Sequence, residues 1–95
     1  MKSLQDALYN WLTIHVVAEA RPNDTAAQET VAFFRAILQT DFHVTDINVV
    51  KEEMMYTVHY KKEEEWKTAR FPVELINVML EQIEREPEKY SNYPT

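Results

Sequence analysis

The 95-residue sequence contains no glycine and no cysteine. Phosphate-binding loops and dinucleotide fingerprints need glycine where the backbone approaches the ligand or adopts positive φ, so both are excluded. Tight hairpin turns also favour glycine, and we therefore expect turns that are longer or built on other residues. The lack of cysteine excludes disulfides, thiolate metal sites and cysteine nucleophiles, and it fits a reducing cytoplasm.

Long apolar runs are also missing. The N-terminal stretch has Lys2 as its only basic residue before the apolar part, and Asp6, Asn10 and His15 interrupt that part. This pattern does not match a signal peptide, and no window approaches the roughly 18 apolar residues of a membrane span. We therefore expect a soluble cytoplasmic protein that does not interact with membranes.

Two helices are predicted in the first part of the chain. Ser3, with Asp6 three residues later, is typical of a helix start, and apolar residues then recur at helical spacing until Pro22 interrupts them. A second helix is predicted from about Thr25 to Gln39, with Thr25 and Gln28 as a capping box. Its inward stripe would consist of Ala27, Val31, Phe34 and Leu38, broadened by Phe33 and Ile37.

After Asp41 the apolar residues alternate, which predicts strands. The first strand is predicted at 42–50 and the third at 66–71, with "KKEEE" as the turn before the third. On the second strand, one face would carry Met54, Tyr56, Val58 and Tyr60. A final helix is predicted from Pro72 to about Glu86, just before Pro87, with an apolar stripe of Val73, Ile76, Met79, Leu80 and Ile83.

This order predicts an α+β fold. We expect a single two-layer domain of order α-α-β-β-β-α, in which a three-stranded antiparallel meander has its helices mainly on one face. The length and the hydrophobic content of 45% indicate one globular domain spanning residues 1–95. Residues 86–95 are polar and are expected to form a partly ordered tail.

The charge distribution argues against nucleic-acid binding. The net charge is −6, and residues 51–70 carry equal numbers of basic and acidic side chains, so the excess negative charge lies elsewhere. The α-β-β-β-α portion is similar in element order to the double-stranded-RNA-binding domain, but the final helix starts with "FPVELINV" and lacks lysine there. A nucleic-acid-binding module that uses aromatic and basic residues of the sheet is kept as the alternative function.

Catalytic and metal-binding patterns are weak. The only serines, Ser3 and Ser91, lie near the two ends, and no catalytic, cofactor-binding or metal-ligating residue is assigned. The three histidines are too scattered for a zinc signature. In one register Asp46 would face His59, which with His43 leaves a small metal-binding protein or enzyme as the weaker alternative. The expected protein is not an enzyme and needs no cofactor.

Interaction with another protein is the predicted function, in a regulatory or accessory role. One face of the sheet is expected to stay open, and tryptophan and arginine are common interface anchors. Surplus apolar side chains on the helices, among them Ile14, Leu75 and Val78, also favour self-association as a homodimer. If Ala69 and Phe71 join the core, Trp66 lies outside. The candidate interaction surface is Trp66, Arg70, Tyr60, Lys67 and Phe33.

Overall fold

The computed structural model describes residues 3–85, except for the side chains of Ile83 and Glu84. The elements in this range are α1 (Leu4–Ala20), α2 (Thr25–Phe42), β1 (Val44–Lys51), β2 (Met55–Lys62), β3 (Glu65–Pro72), α3 (Val73–Ile76) and α4 (Val78–Arg85). The strands form one antiparallel sheet in the order β1-β2-β3. The predicted fold class is confirmed, while the predicted tail at 86–95 lies outside the described residues.

The helical hairpin begins as predicted but its second cap differs. The Ser3 hydroxyl accepts a hydrogen bond from the Asp6 amide at 3.1 Å, which fixes the start of α1. The predicted capping box at Thr25 and Gln28 is wrong. Asp24 caps α2 by accepting from the Ala27 amide at 3.0 Å, and the Gln28 side chain instead donates to the Ala18 carbonyl. A carboxylate at this position satisfies free amides and also favours the positive end of the helix dipole.

The junction between α2 and β1 lies further along the chain than predicted. The helix continues to Phe42, and His43 ends it with a left-handed φ of 59° while its amide donates to the Leu38 carbonyl. Glycine usually occupies such a position because it has no Cβ. Strand β1 therefore starts at Val44 rather than at Phe42.

The inner face of the sheet and the helices enclose the main core. Along β2, Tyr56, Val58 and Tyr60 point inward and are buried. Met54 does not share this face, contrary to prediction, because it lies in the β1–β2 connection and is 75% exposed. The buried core residues are Ala7, Leu8, Trp11, Leu12, Leu38, Val44, Tyr56, Val58, Tyr60, Phe71 and Ile76.

The β2–β3 hairpin closes with a two-residue turn. Lys62 pairs with Glu65, and the two residues between them, Glu63 and Glu64, have φ of 52° and 67°. Positive φ at both central residues matches the right-handed twist of the flanking strands but favours asparagine and glycine. A tight turn is thus built on glutamates, which is the second of the two possibilities expected from the absence of glycine.

The final helical region is divided at Asn77, where the sequence predicts one continuous helix. The Asn77 amide still donates to the Val73 carbonyl and the Glu81 amide to the Asn77 carbonyl, so the two segments meet with helical hydrogen bonding. The Tyr56 hydroxyl donates to Asn77 Oδ1 at 3.0 Å and ties this junction to the sheet. Met79 is 44% exposed and does not belong to the inward stripe, while the predicted Ile83 side chain lies outside the described set.

Within residues 3–85, no helix combines the length and the apolar composition needed to cross a bilayer.

Candidate interaction surface

The sheet has a second face, which points away from the core. Because side chains alternate along a strand, the cross-strand register defines this outer face. Its members are Asp46, Asn48 and Val50 of β1, Met55, Thr57, His59 and Lys61 of β2, and Trp66, Thr68 and Arg70 of β3.

The outer face is organised in rows across the three strands. Thr57 stands between Val50 and Arg70, and at 3% exposure it is the buried centre of the face. Its hydroxyl donates to Glu52 Oε1 at 2.7 Å, so the polar group is satisfied despite burial. The centre of the outer face is therefore a buried, hydrogen-bonded threonine flanked by Val50 and Arg70.

Trp66 is the largest exposed side chain of the outer face. It lies opposite Lys61, which in turn faces Asp46 on β1, and 60% of its surface is exposed. Trp66 lies on the outer face because Phe71 is buried on the inner face, and residues five apart on a regular strand point to opposite faces. The conditional expectation that Trp66 lies outside when Phe71 is in the core is met.

The other predicted surface residues lie in different places. Arg70 is exposed on the outer face with Trp66. Lys67 is exposed on the opposite face of β3, where its ammonium lies 3.7 Å from Glu65 Oε2. Tyr60 is only 8% exposed and belongs to the core, so it is removed from the candidate surface. Phe33 is 62% exposed on α2 and packs edge-on against Phe34 at 5.6 Å between ring centroids.

The structure therefore groups Trp66 with Arg70 and separates them from Phe33 and Lys67. The candidate surface predicted from the sequence did not include Val50 or Lys61. Val50 is 43% exposed and shares the row of Arg70, while Lys61 lies directly opposite Trp66. Alternation within each strand places these residues on a face, but only the register shows which of them are neighbours.

Of the surplus apolar residues predicted on the helices, some are exposed and one is packed against other helix residues. Leu75 and Val78 are 48% and 47% exposed, so they leave apolar surface on the helical layer. Ile14 instead packs against the small second cluster of Val17, Ala18 and Ala27 between the first two helices.

The histidines and Asp46 do not converge. The predicted facing of Asp46 and His59 is wrong, since Asp46 is opposite Lys61 and His59 lies between Asn48 and Thr68. His59 Nδ1 is 3.5 Å from the Thr68 hydroxyl. His43 and Asp46 instead line an open groove of about 680 Å³ with Lys61 and the two turn glutamates. In residues 3–85, no three His, Cys, Asp or Glu side chains are grouped to hold a metal ion.

Within residues 3–85, His15, unlike His43 and His59, has both an aromatic ring and a carboxylate against its imidazole. Its ring stacks on Trp11 at 4.6 Å between centroids, and its Nε2 lies 3.4 Å from Glu19 Oε1. Burial lowers the pKa of His15 below its ordinary value of 6.5, and the nearby Glu19 carboxylate partly opposes that shift. The imidazole is thus mainly neutral near pH 7, which fits a packing role at the rim of the core.

Comparison with protein-family models, with curated proteins and with solved structures found no match to this chain.

Proposed function

We propose that this chain is a non-catalytic protein-interaction module that works in a regulatory or accessory role in the cytoplasm. The observation that carries the proposal is the position of Trp66, which stands 60% exposed on the uncovered face of the sheet. Tryptophan and arginine contribute heavily to interface energies because they bury large apolar area and also form hydrogen bonds. Leaving such a side chain in water has a hydrophobic cost that a partner would remove.

The chemistry of the outer face indicates the kind of partner. Its cations are Lys61 and Arg70; Asp46 lies opposite Lys61 and Glu52 accepts a hydrogen bond from Thr57, whereas Arg70 makes no ion pair within residues 3–85 and lies on the same face as the Trp66 ring. A partner segment that presents carboxylates beside an apolar side chain would complement this arrangement, since buried ionic contacts need opposite charges.

The nucleic-acid alternative has less support from the geometry. Stacking of successive bases needs several exposed aromatic rings beside cations. Tyr56 and Tyr60 point inward and are buried, which leaves Trp66 as the single aromatic side chain on the outer face. The net charge of −6 also opposes attraction to a polyanion.

Affinity capture with matched variants tests the proposal. Tagged wild-type protein, Trp66→Ser and Leu75→Ser are used to capture proteins from cells that produce the chain. Leu75→Ser is the control because Leu75 is also about half exposed but lies on α3. We expect a stoichiometric partner that the wild type and Leu75→Ser retain and that Trp66→Ser loses by at least tenfold.

Two outcomes would contradict the proposal, the first in the place of docking and the second in the function itself. A partner lost with Leu75→Ser and kept with Trp66→Ser would move docking to the helices. Salt-sensitive binding of a single-stranded oligonucleotide, abolished by Trp66→Ser, would favour the nucleic-acid alternative.

Fluorescence tests whether the partner contacts Trp66 directly, because Trp66 is exposed while the second tryptophan, Trp11, is 4% exposed. In a Trp11→Phe background, the emission should shift to shorter wavelength when the captured partner binds.

A further inference from the structure

The two edges of the sheet differ in how they are protected. Strand β1 has an irregular register between Val44 and Asp46, and Arg35 of α2 donates to the carbonyls of Val44 and Thr45 at its edge. Strand β3 pairs with β2 over its full length without irregularity, and all the side chains of Glu65–Arg70 except Ala69 are exposed. Bulges and covering side chains block edge pairing, whereas a long regular edge permits it. β3 is therefore the edge open to another strand.

The hydrogen-bond pattern shows which residues of β3 face outward. The Glu52 amide donates to the Met55 carbonyl, so the odd-numbered residues of β2 bond to β1 and the even-numbered ones to β3. The Val73 amide donates to the Met54 carbonyl, which agrees with this alternation. Since Lys62 pairs with Glu65, the odd-numbered residues of β3 bond to β2. The main-chain groups of Trp66, Thr68 and Arg70 consequently point to the open side.

These outward groups fit one antiparallel register with a second β3. If Thr68 lies opposite Thr68 of a second copy, Trp66 of each copy faces Arg70 of the other. Each of these three pairs exchanges two main-chain hydrogen bonds. Registers shifted by two residues keep only two such reciprocal pairs, because Pro72 has no amide hydrogen in one direction and Glu64 belongs to the turn in the other.

The side chains are complementary in this same register. The guanidinium of Arg70 lies opposite the Trp66 ring on the outer face, a cation–π pairing. The two Thr68 side chains lie opposite each other, a favourable cross-strand pair. On the inner face Glu65 is opposite Phe71 and Lys67 opposite Ala69, so no like charges are directly opposed. The charge of Lys67 is already balanced by Glu65 at 3.7 Å.

We infer that the occupant of the β3 edge is a second copy of this chain, joined by antiparallel β3–β3 pairing centred on Thr68. The product is a six-stranded sheet with the helices of both copies on one side, because a two-fold axis perpendicular to the sheet relates the strands. The inference goes beyond the proposed function, since it concerns self-association through a strand edge and requires no other protein. It also makes the two outer faces one continuous surface.

Cysteine cross-linking tests the pairing and its register. The chain has no cysteine of its own, so each introduced thiol is unique. Opposed residues in a hydrogen-bonded antiparallel pair have Cα atoms about 5.5 Å apart, within the range a disulfide spans. We expect Thr68→Cys to form a covalent dimer under mild oxidation. Asn48→Cys, on the same face of the opposite edge strand, should stay monomeric.

A mixed experiment reads the register directly. Trp66→Cys and Arg70→Cys, one of them carrying a mass tag, should form the mixed disulfide dimer when combined. Neither variant should cross-link with itself, because residues 66 of the two copies are separated by four positions along the strand. Cross-linking of Asn48→Cys equal to that of Thr68→Cys, or no mixed dimer, would overturn the inference.

Light scattering across protein concentration measures the unmodified association. Thr68→Pro removes an outward amide without touching the ladder to β2, and we expect it to raise the dimer Kd at least tenfold while the far-ultraviolet circular dichroism is unchanged. Lys51→Pro is the matched control, because the Lys51 amide points away from β2 on the β1 edge by the same alternation. A wild-type monomer at all concentrations, or equal effects of the two prolines, would refute β3 pairing. Self-association is measured on purified chain, so its failure leaves the partner-docking proposal standing.

Discussion

Replacement of Glu64 by glycine should stabilise this protein, even though glycine usually destabilises ordered segments. Glu64 is the second central residue of the β2–β3 turn and has a φ of 67°. A residue with a Cβ pays about 1–2 kcal/mol in the left-handed region because the Cβ crowds the following carbonyl oxygen. Glycine avoids this steric cost and is the preferred residue at the second position of such a turn.

The free energy of unfolding should rise by less than the steric cost that glycine removes. Glycine gives the unfolded chain more conformations, which offsets about 0.4–1 kcal/mol. Glu64 makes no ion pair within residues 3–85, whereas its neighbour Glu63 lies 3.9 Å from Lys62. We therefore expect Glu64→Gly to raise the free energy of unfolding by about 0.5–1 kcal/mol. For a domain of this size that corresponds to an increase in Tm of about 2–8 °C.

Thermal unfolding followed by circular dichroism measures this change, and a matched variant controls for charge. Glu53→Gly also removes one glutamate from a hairpin connection, but positive φ does not occur at Glu53. It should therefore lower the free energy of unfolding by about 0.4–1 kcal/mol through unfolded-state entropy alone. If both variants lower Tm equally, left-handed strain at Glu64 does not limit stability and the reasoning is refuted.

Two further predictions concern His15 on α1 and the hydrogen bond between Tyr56 and Asn77. Burial lowers the pKa of His15 in the folded state, so the unfolded chain protonates this imidazole more readily. The contribution of His15 to the free energy of unfolding is therefore intact above about pH 6.5 and is lost as the pH falls below that value. In urea unfolding at about pH 8 and about pH 5, His15→Gln should lose less stability on acidification than the wild type, and an equal loss would contradict the assignment. Tyr56→Phe removes the hydrogen bond to Asn77 and should cost about 0.5–1.5 kcal/mol. Tyr9→Phe, whose hydroxyl has no hydrogen bond to residues 3–85, should cost little in the same urea titration.

Apolar periodicity was sufficient for the order of the elements. Helical spacing up to Pro22 and alternation after Asp41 each reflect one buried face, and burial dominates the choice between helix and strand. The boundaries moved where local polar contacts decided them. Asp24 replaced Thr25 as the cap because its carboxylate reaches the Ala27 amide. The left-handed conformation of His43 could not be predicted, because histidine seldom ends a helix in this way.

The candidate surface was predictable only in part. Alternation along β3 is enough to place Trp66 and Arg70 on one face, and the burial of Phe71 decides that it is the outer one. Tyr60 was misplaced among the surface residues, although alternation along β2 already puts it on the same face as Tyr56 and Val58, which is buried. The pairing of Asp46 with Lys61 instead of His59 required the register, which depends on hairpin turns that single-residue propensities do not define.

The continuous course of the strands has a kinetic consequence. All three strands come from the single segment Val44–Pro72, and each is joined to its neighbour by a short turn. Closing such short loops costs little entropy, so the sheet can assemble from its turns outward on the microsecond scale of hairpin formation. We expect the docking of α1 to be the slower event, because Leu8 and Trp11 share a core with Val58 and Phe71, which lie far from them along the chain. Mutations in α1 should therefore change the folding rate more than mutations at the tips of the hairpins.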